Sequence, residues 1–565
     1  WDDYDKALIS KGGGVFPRSM KAIPLTAEVK AMLGIDQDEI EPAALISAIL
    51  RAEVDLIWFG GIGTYIKAAS ENNIDVGDPS NDPLRINAEQ LRCKVVGEGA
   101  NLGVTQAARI AFSMLGGRIN TDFIDNSAGV DCSDNEVNIK IGLAAVMRAG
   151  LLDEPSRNAL LASMTDDVSS LVLEDNRLQA LGLSIAEKGG TRALPSYLRL
   201  IEHFEEQGRL DRKVEGLADN ATFKRRAQEG HGLTRPELAV LLSTAKLALQ
   251  DAIERIPLAD DPTMRPELLA AFPPQMREAY GDVLMQHQLR GEIIATKLAN
   301  RMINRLGLIH PFELAEEEGC TLGDVACAFI AAERLFGLPA IWAEFDNAAM
   351  DEQVRLMLFD ATANIVRVHI ADVLRASPDG LMPGEIVAAL KPGVDALIAG
   401  MDDLLNAEAR LQAARQAQDL TAQGAAPTHA AHIVRLTGLD GAAGLANLAS
   451  HSGTGPLPLT HAFADLGATL GLDWTQMTAA RMSPSDPWER LLVSGLARDF
   501  QQMRLDFLSK AQGGDPQDYV ANWTEANLPR IKQFRGLVDR ARLDAAPSVA
   551  MLAQIASQAR ILLGR

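Results

Sequence analysis

Short apolar runs alternate with glycine- and asparagine-rich turns through the first 150 residues, and helical periodicity replaces them thereafter. Val54-Asp55-Leu56-Ile57-Trp58-Phe59 reads as a buried strand of the parallel type, and Cys93-Lys94-Val95-Val96 as a second, β-branched one. Arg118-Ile119-Asn120-Thr121 makes a third, and Ala7-Leu8-Ile9-Ser10 is a short candidate ahead of them. Between these runs the spacing predicts helices over 25–53, where Leu45, Ile46, Ile49 and Leu50 recur, and over 104–115. A further helix is expected to open at Asp125, Asn126 or Ser127 and to reach about residue 149, with Val137, Ile141 and Met147 near one face. Strands that alternate with helices in this way build a parallel sheet.

After the GLLDEP segment at 150–155 the strand-like text stops. Thr234-Arg235-Pro236-Glu237 is a capping box with proline in the first turn, and Leu238, Leu242, Ala245 and Leu249 follow on one helix face. Ile294, Leu298, Met302 and Leu306 mark another helix, and longer ones are predicted over 351–376, 384–418, 485–510 and 528–563. Gly424-Ala425-Ala426-Pro427 marks a break, and no fixed-period repeat is visible. The expected fold class is therefore α/β, a partial Rossmann-like parallel sheet followed by a large all-α C-terminal region. The expected domains are 1–150 and 151–565, the second with a candidate division into two sub-bundles near 424–428.

Composition narrows the function classes. A chain of 565 residues has room for about three to four average domains. Hydrophobic content of 47% with 23% charged residues is ordinary for a globular chain. A formal net charge of −21 argues against nucleic-acid and anionic-membrane partners, which need basic patches. Cys93, Cys132, Cys320 and Cys327 are scattered, which suggests reduced thiols and a cytoplasmic location. No apolar run approaches the ~20 residues that span a bilayer. The N-terminus, Trp1-Asp2-Asp3-Tyr4-Asp5, has no basic-then-apolar leader and no initiator Met, so a piece of a longer protein is expected.

The candidate chemistry sits at the turns. The first run ends in Gly60-Gly61, and the second in Gly97-Glu98-Gly99-Ala100-Asn101, where glycines let a ligand approach the backbone. Asn101 and Asn126 stand where successive strands hand over to helices, at the sheet edge where open α/β folds bind ligands. A primary amide donates and accepts at once, which suits a carboxamide; the competing reading of Asn126 is a plain helix cap. Lys11-Gly12-Gly13-Gly14 matches neither phosphate-loop pattern and reads as a turn. The acids of 71–85 fit no calcium-loop spacing and read as a surface loop, and Asp131-x-Ser133-x-Asn135 lacks the glycine and closing Glu of one. His429 and His432 are three apart with no carboxylate or cysteine at ligand spacing, so no metal site is expected. His231 reads as a loop residue, and Arg301 to Arg305 (RMINR) as a solvated or interdomain face, the competing reading being a pair with an acidic neighbour or an anionic effector.

The text GEGAN at 97–101, followed by INTDFIDNSAGVDCSDNEV, resembles the cofactor half of the glutamate dehydrogenase superfamily, which usually reads AEGAN, NAGGV and SYFEW. Asn126 to Val130 falls on NAGGV, and Ser133 and Glu136 fall without a gap on the Ser and Glu of SYFEW. IWFGGIGTYIKA and NSAGVDCSDNEVNIK resemble in particular the very large NAD-specific glutamate dehydrogenases. These motifs cover roughly residues 1–145.

The resemblance implies NAD as cofactor, held by Gly60, Gly61, Gly99, Asn101 and Asn126, with Gly60-Gly61 in place of the family's PAA turn. It implies that Ser133 meets a carboxylate of L-glutamate, near a helix N-terminus that favours anions. Glu98 and Glu136 receive no proton-transfer role from it. The implied reaction takes L-glutamate, NAD and water to 2-oxoglutarate, ammonium and NADH. The family's proton-transfer Lys and Asp belong to a substrate domain that precedes the cofactor domain. Lys11 lies inside the cofactor portion, so no catalytic residue is assigned here. A homo-oligomer is implied, and weak NAD binding without turnover is expected of these residues alone. The competing class is a non-catalytic helical oligomerisation or regulatory module with a vestigial α/β part. A crevice open at Gly61, Asn101 and Asn126 would separate the two.

Overall fold

The computed structural model describes residues 3, 5–404, 407–482, 484, 486–511, 514–544 and 546–564. They form two compact units, one made of 1–248 with 268–290 and the other of 249–267 with 291–565.

The first unit is built on a three-stranded parallel sheet with Val95–Glu98 at its centre, flanked by Leu56–Phe59 and Arg118–Ile119. Phe59 lies opposite Glu98 and Val96 opposite Ile119, so the strands leave the sheet at one edge. Phe59, Val96 and Ile119 pack with Ile66, Ile86, Val104, Ala108 and Phe112 into one core. A two-stranded parallel pair, Ile66–Lys67 with Ile86–Asn87, extends it, and Val104 bridges to Ile66. The first run is a parallel strand as expected, but it is buried on one face only. Leu56 and Trp58 on the other face are 52% and 60% exposed.

Several local expectations change. Residues Lys6–Leu8 form a 3-10 turn instead of a strand, because the Asp5 carboxylate accepts the Ala7 N–H. The helix expected over 25–53 is two helices, Ala27–Leu33 and Pro42–Leu50. Gly34 ends the first in a left-handed conformation, and the strand Glu39–Ile40 pairs back on Ile23–Pro24 before the second begins. The helix Ser127–Arg148 forms as expected, but it buries Asn135, Ile139, Gly142, Leu143 and Val146 and leaves Val137 exposed. Among the described residues the last strand ends at Ile119, yet the helices from Glu154 onward to Ala248 belong to the same unit as the sheet.

The second unit is helical. Leu322–Phe336, buried along nearly its whole length, packs against Glu352–Ala376 and Pro383–Leu404. Arg301 and Arg305 do not form a solvated face. Arg301 pairs with Glu267 at 2.7 Å and Glu333 at 2.8 Å, and Arg305 with Asp346 at 2.5 Å. The break at 424–428 is the turn between Ala407–Ala422 and Pro427–Gly438, two helices that pack on each other. The residues expected to be helical over 384–418 fall in Pro383–Leu404 and Ala407–Ala422, residues 405–406 lying outside the described residues. The helix expected from 485 spans Pro487–Leu508, Ser485 lying outside them too. The helical stretch expected over 528–563 is Leu528–Arg542 and Val549–Leu563, the first capped at Leu543 and the second at Ser548. Among the described residues no single helix is long and apolar enough to cross a membrane.

Ile66 is fully buried where the two parallel ladders meet. Ile66→Ala is expected to cost the first unit about 2–5 kcal/mol, read as a lower urea midpoint for that unit's unfolding transition.

Candidate functional site

Because the strands are parallel, the turns that follow them gather at the carboxyl edge of the sheet. The turn after Phe59 is tied to the turn after Glu98 by Ala100 N–H donating to Phe59 O (2.9 Å) and Tyr65 N–H donating to Gly103 O (2.9 Å). Gly60 and Gly61 are exposed, and space is open where a Cβ would stand on either. Gly99 is different. A Cβ there would lie 2.5 Å from the Trp58 indole, as it would on Gly97, so glycine at both places is what lets the indole lie where it does.

Asn101 and Asn126 are brought together from these turns. Asn126 Nδ2 donates to Asn101 Oδ1 at 3.0 Å. Asn126 stands at the start of Ser127–Arg148, yet its side chain caps no helical N–H. The amide is turned toward Asn101 instead, and a Cβ on Gly129 would lie 2.8 Å from its Oδ1. One amide donor, Asn101 Nδ2, and one acceptor, Asn126 Oδ1, are left over from the pair. They are the complement of another carboxamide, so the residues fit a nicotinamide. Ser133 lies seven residues on, thus on the same helix face, exposed, its hydroxyl reaching back to Gly129 O at 3.4 Å.

Beneath the amides runs a buried charged network. The Glu98 carboxylate is fully buried and takes Arg109 Nε at 2.7 Å, Arg109 Nη2 at 2.9 Å and Val104 N–H at 3.0 Å. Burial pushes the Glu98 pKa up, and the Arg109 guanidinium opposes that shift. Arg109 also meets Asp122 at 3.1 Å, and Asp122 accepts the Leu102 N–H at 2.8 Å. Leu102 is left-handed at φ 59° and 64% exposed. That conformation costs a non-glycine residue about 1–2 kcal/mol, and the bond from Asp122 holds it beside Asn101. Asp125 accepts the Glu98 N–H at 2.9 Å and Asn120 Nδ2 at 2.6 Å. Asp122 and Asp125 thus share the one-turn helix Asp122–Asp125 and hold the two loops that carry Asn101 and Asn126.

Residues 1–186 match the family model for the bacterial NAD-glutamate dehydrogenase catalytic domain, and 230–560 match the glutamate dehydrogenase C-terminal model. This chain belongs to the NAD-glutamate dehydrogenase family. It is 36% identical over 562 residues to the NAD-specific glutamate dehydrogenase of Pseudomonas aeruginosa, covering 98% of this chain and 35% of that protein. With the NAD-specific glutamate dehydrogenase of Mycobacterium tuberculosis it shares 35% identity over 576 residues, 99% of this chain and 35% of that one. The chain spans about a third of the length of the curated relatives it matches.

The other motifs fall elsewhere in the chain. Lys11 is exposed and pairs with Glu28 at 2.8 Å. Glu136 pairs along its own helix with Lys140. The acids of 71–85 serve the loop itself: Asp78 accepts the Thr64 N–H at 2.9 Å, and Asp82 pairs with the buried Arg85. His429 and His432 share Glu344, at 3.4 and 2.7 Å, a carboxylate about 85 residues away that spacing alone does not reveal. Among the described residues no group of three or more such side chains could hold a metal ion. Sequence reasoning missed Arg109, Asp122 and Asp125. Their one signal was two acids three apart directly after a strand.

Arg109→Leu is expected to destabilise the first unit by about 3–5 kcal/mol at pH 8, because Glu98 is left buried without its counter-charge. Burial then raises the Glu98 pKa further, so its unfavourable ionisation sets in as pH rises above the normal carboxylate range. The loss should therefore be smaller at pH 5 than at pH 8, as urea titrations at both pH values will measure.

Proposed function

We propose that the carboxyl edge of this sheet forms the nicotinamide side of an NAD-dependent glutamate dehydrogenase site. The observation that carries the reading is the Asn101–Asn126 amide pair, joined at 3.0 Å with one donor and one acceptor left over. Asn101 Nδ2 would donate to the carboxamide oxygen, and Asn126 Oδ1 would accept from its NH2. Gly60 and Gly61 leave the space for the ribose beside them, and Gly99 leaves room for the Trp58 indole against the turn. The cofactor's chemistry is to take up the hydride that leaves the glutamate α-carbon. Ser133 receives a substrate carboxylate on the exposed face of Ser127–Arg148, two turns in from its start, as glutamate is converted to 2-oxoglutarate and ammonium.

The proton-transfer lysine is assigned to polypeptide other than these 565 residues, a reading supported by relatives nearly three times as long and by Lys11 being engaged by Glu28. The helical remainder supplies regulation or homo-oligomer contacts for a cytoplasmic enzyme of amino-acid breakdown.

The test is glutamate-dependent NADH formation, measured on this chain and on one extended upstream through a lysine-bearing segment. Activity is expected only in the extended chain. Activity in these residues alone would place a proton-transfer group within them. Ser133→Ala in the active chain should raise the KM for glutamate about tenfold, with a smaller change in kcat.

A further inference from the structure

Asn126 is held from behind by a chain of contacts that begins outside the text resembling the cofactor half. One half of the capping box at 234–237 forms: Glu237 accepts the Thr234 N–H and hydroxyl, each at 2.7 Å, and pairs with the buried Arg226 at 2.8 Å. This fixes the start of the helix Arg235–Glu254 and aims Arg235 at the sheet edge. Arg235 Nε donates to Asn120 Oδ1, while its two other nitrogens reach Ser184 Oγ and Ala180 O, each at 3.0 Å. Asn120 passes the contact on, its Nδ2 donating to Asp125 Oδ1 at 2.6 Å. Asp125 is the residue before Asn126. A second strut comes from the helix Thr165–Lys188, where Asn176 Nδ2 donates to Ser127 Oγ at 2.7 Å and Ile124 O at 3.2 Å.

We infer that Arg235 is a positioning residue for the nicotinamide-binding amide of Asn126, acting through Asn120 and Asp125. The inference rests on the cofactor reading above. Arg235 suits the task because its planar fork serves four acceptors in fixed directions, the fourth being Glu187 at 3.3 Å, which a lysine ammonium cannot do. Asn120 suits it because an amide accepts from Arg235 and donates to Asp125 at the same time. The chain of contacts crosses from the segment matched by the C-terminal family model to the segment matched by the catalytic one. The first turn of a helix outside the catalytic match therefore sets the geometry of the cofactor amide.

A double-mutant cycle tests this, read as the dissociation constant for NADH by nicotinamide fluorescence, with cofactor up to millimolar. Asn126→Ala alone should weaken NADH binding about tenfold. Arg235→Ala should weaken it about three- to tenfold, and Arg235→Lys should fail to restore it. Asn120→Ala breaks the same link without removing a buried charge, so it should give the same loss if Arg235→Ala folds poorly. Combined with Asn126→Ala, either variant should add less than about twofold, since both act through one group. A fully multiplicative loss would mean that Arg235 merely supports the fold and would overturn the inference. Unchanged binding in Arg235→Ala and Asn120→Ala would do the same while leaving the cofactor reading intact. Unchanged binding in Asn126→Ala, or no NADH binding by the parent chain, would overturn both.

Discussion

The first unit depends on one buried charge placed at the carboxyl end of its central strand. Glu98 is out of water, and only the two-pronged contact from Arg109 together with the Val104 N–H makes that tolerable. A buried carboxylate so paired adds little net stability over an apolar pair, but it is unforgiving of geometry, because each missing partner leaves an uncompensated charge. The helix Gln106–Met114 must therefore present Arg109 at one rotation, and the loop between strand and helix must bring Val104 back over the strand. That loop contains Asn101. The ion pair thus fixes the loop's course, and Asp122 then stabilises the left-handed Leu102 within it.

The same logic continues outward. Asp122 and Asp125 sit on successive inward positions of a single turn, so one short helix grips the Asn101 loop with one carboxylate and the central strand with the other. Asn126 follows directly. The two amides meet because the segments carrying them are fastened to a common buried frame, while the amide ends stay accessible. Polar groups with every partner in place specify one arrangement, and the amide pair gains its preorganisation from them.

The helical unit uses charge differently. Several of its acids and bases pair between neighbouring helices, as Arg301 with Glu267 and Glu333, Arg367 with Glu317, and Arg498 with Glu318. The strongly acidic composition accordingly leaves an excess at the surface but does not form a metal cluster among the described residues. His429 and His432 follow the same rule, sharing Glu344 as a partner.

Residue order alone determined the three strands, their parallel pairing and the change to helix, because β-branched runs and 3.6-residue periodicity are local properties. It also put Gly60, Gly61, Gly99, Asn101 and Asn126 in turns that share a side, since they follow parallel strands, whereas Ser133 was singled out only by the family resemblance. Helix breaks at Gly34 and after Arg542 were legible only as residues, and the long-range pairing around them was not. What tertiary structure alone decided was contact between distant side chains. It turned Asn126 from a helix cap toward Asn101, set the Trp58 indole against the glycine at 99, and joined Arg235 to Asn120 across 115 residues. The physical reason is that spacing along a chain encodes which face a side chain occupies. It does not encode which distant partner will be carried to that face.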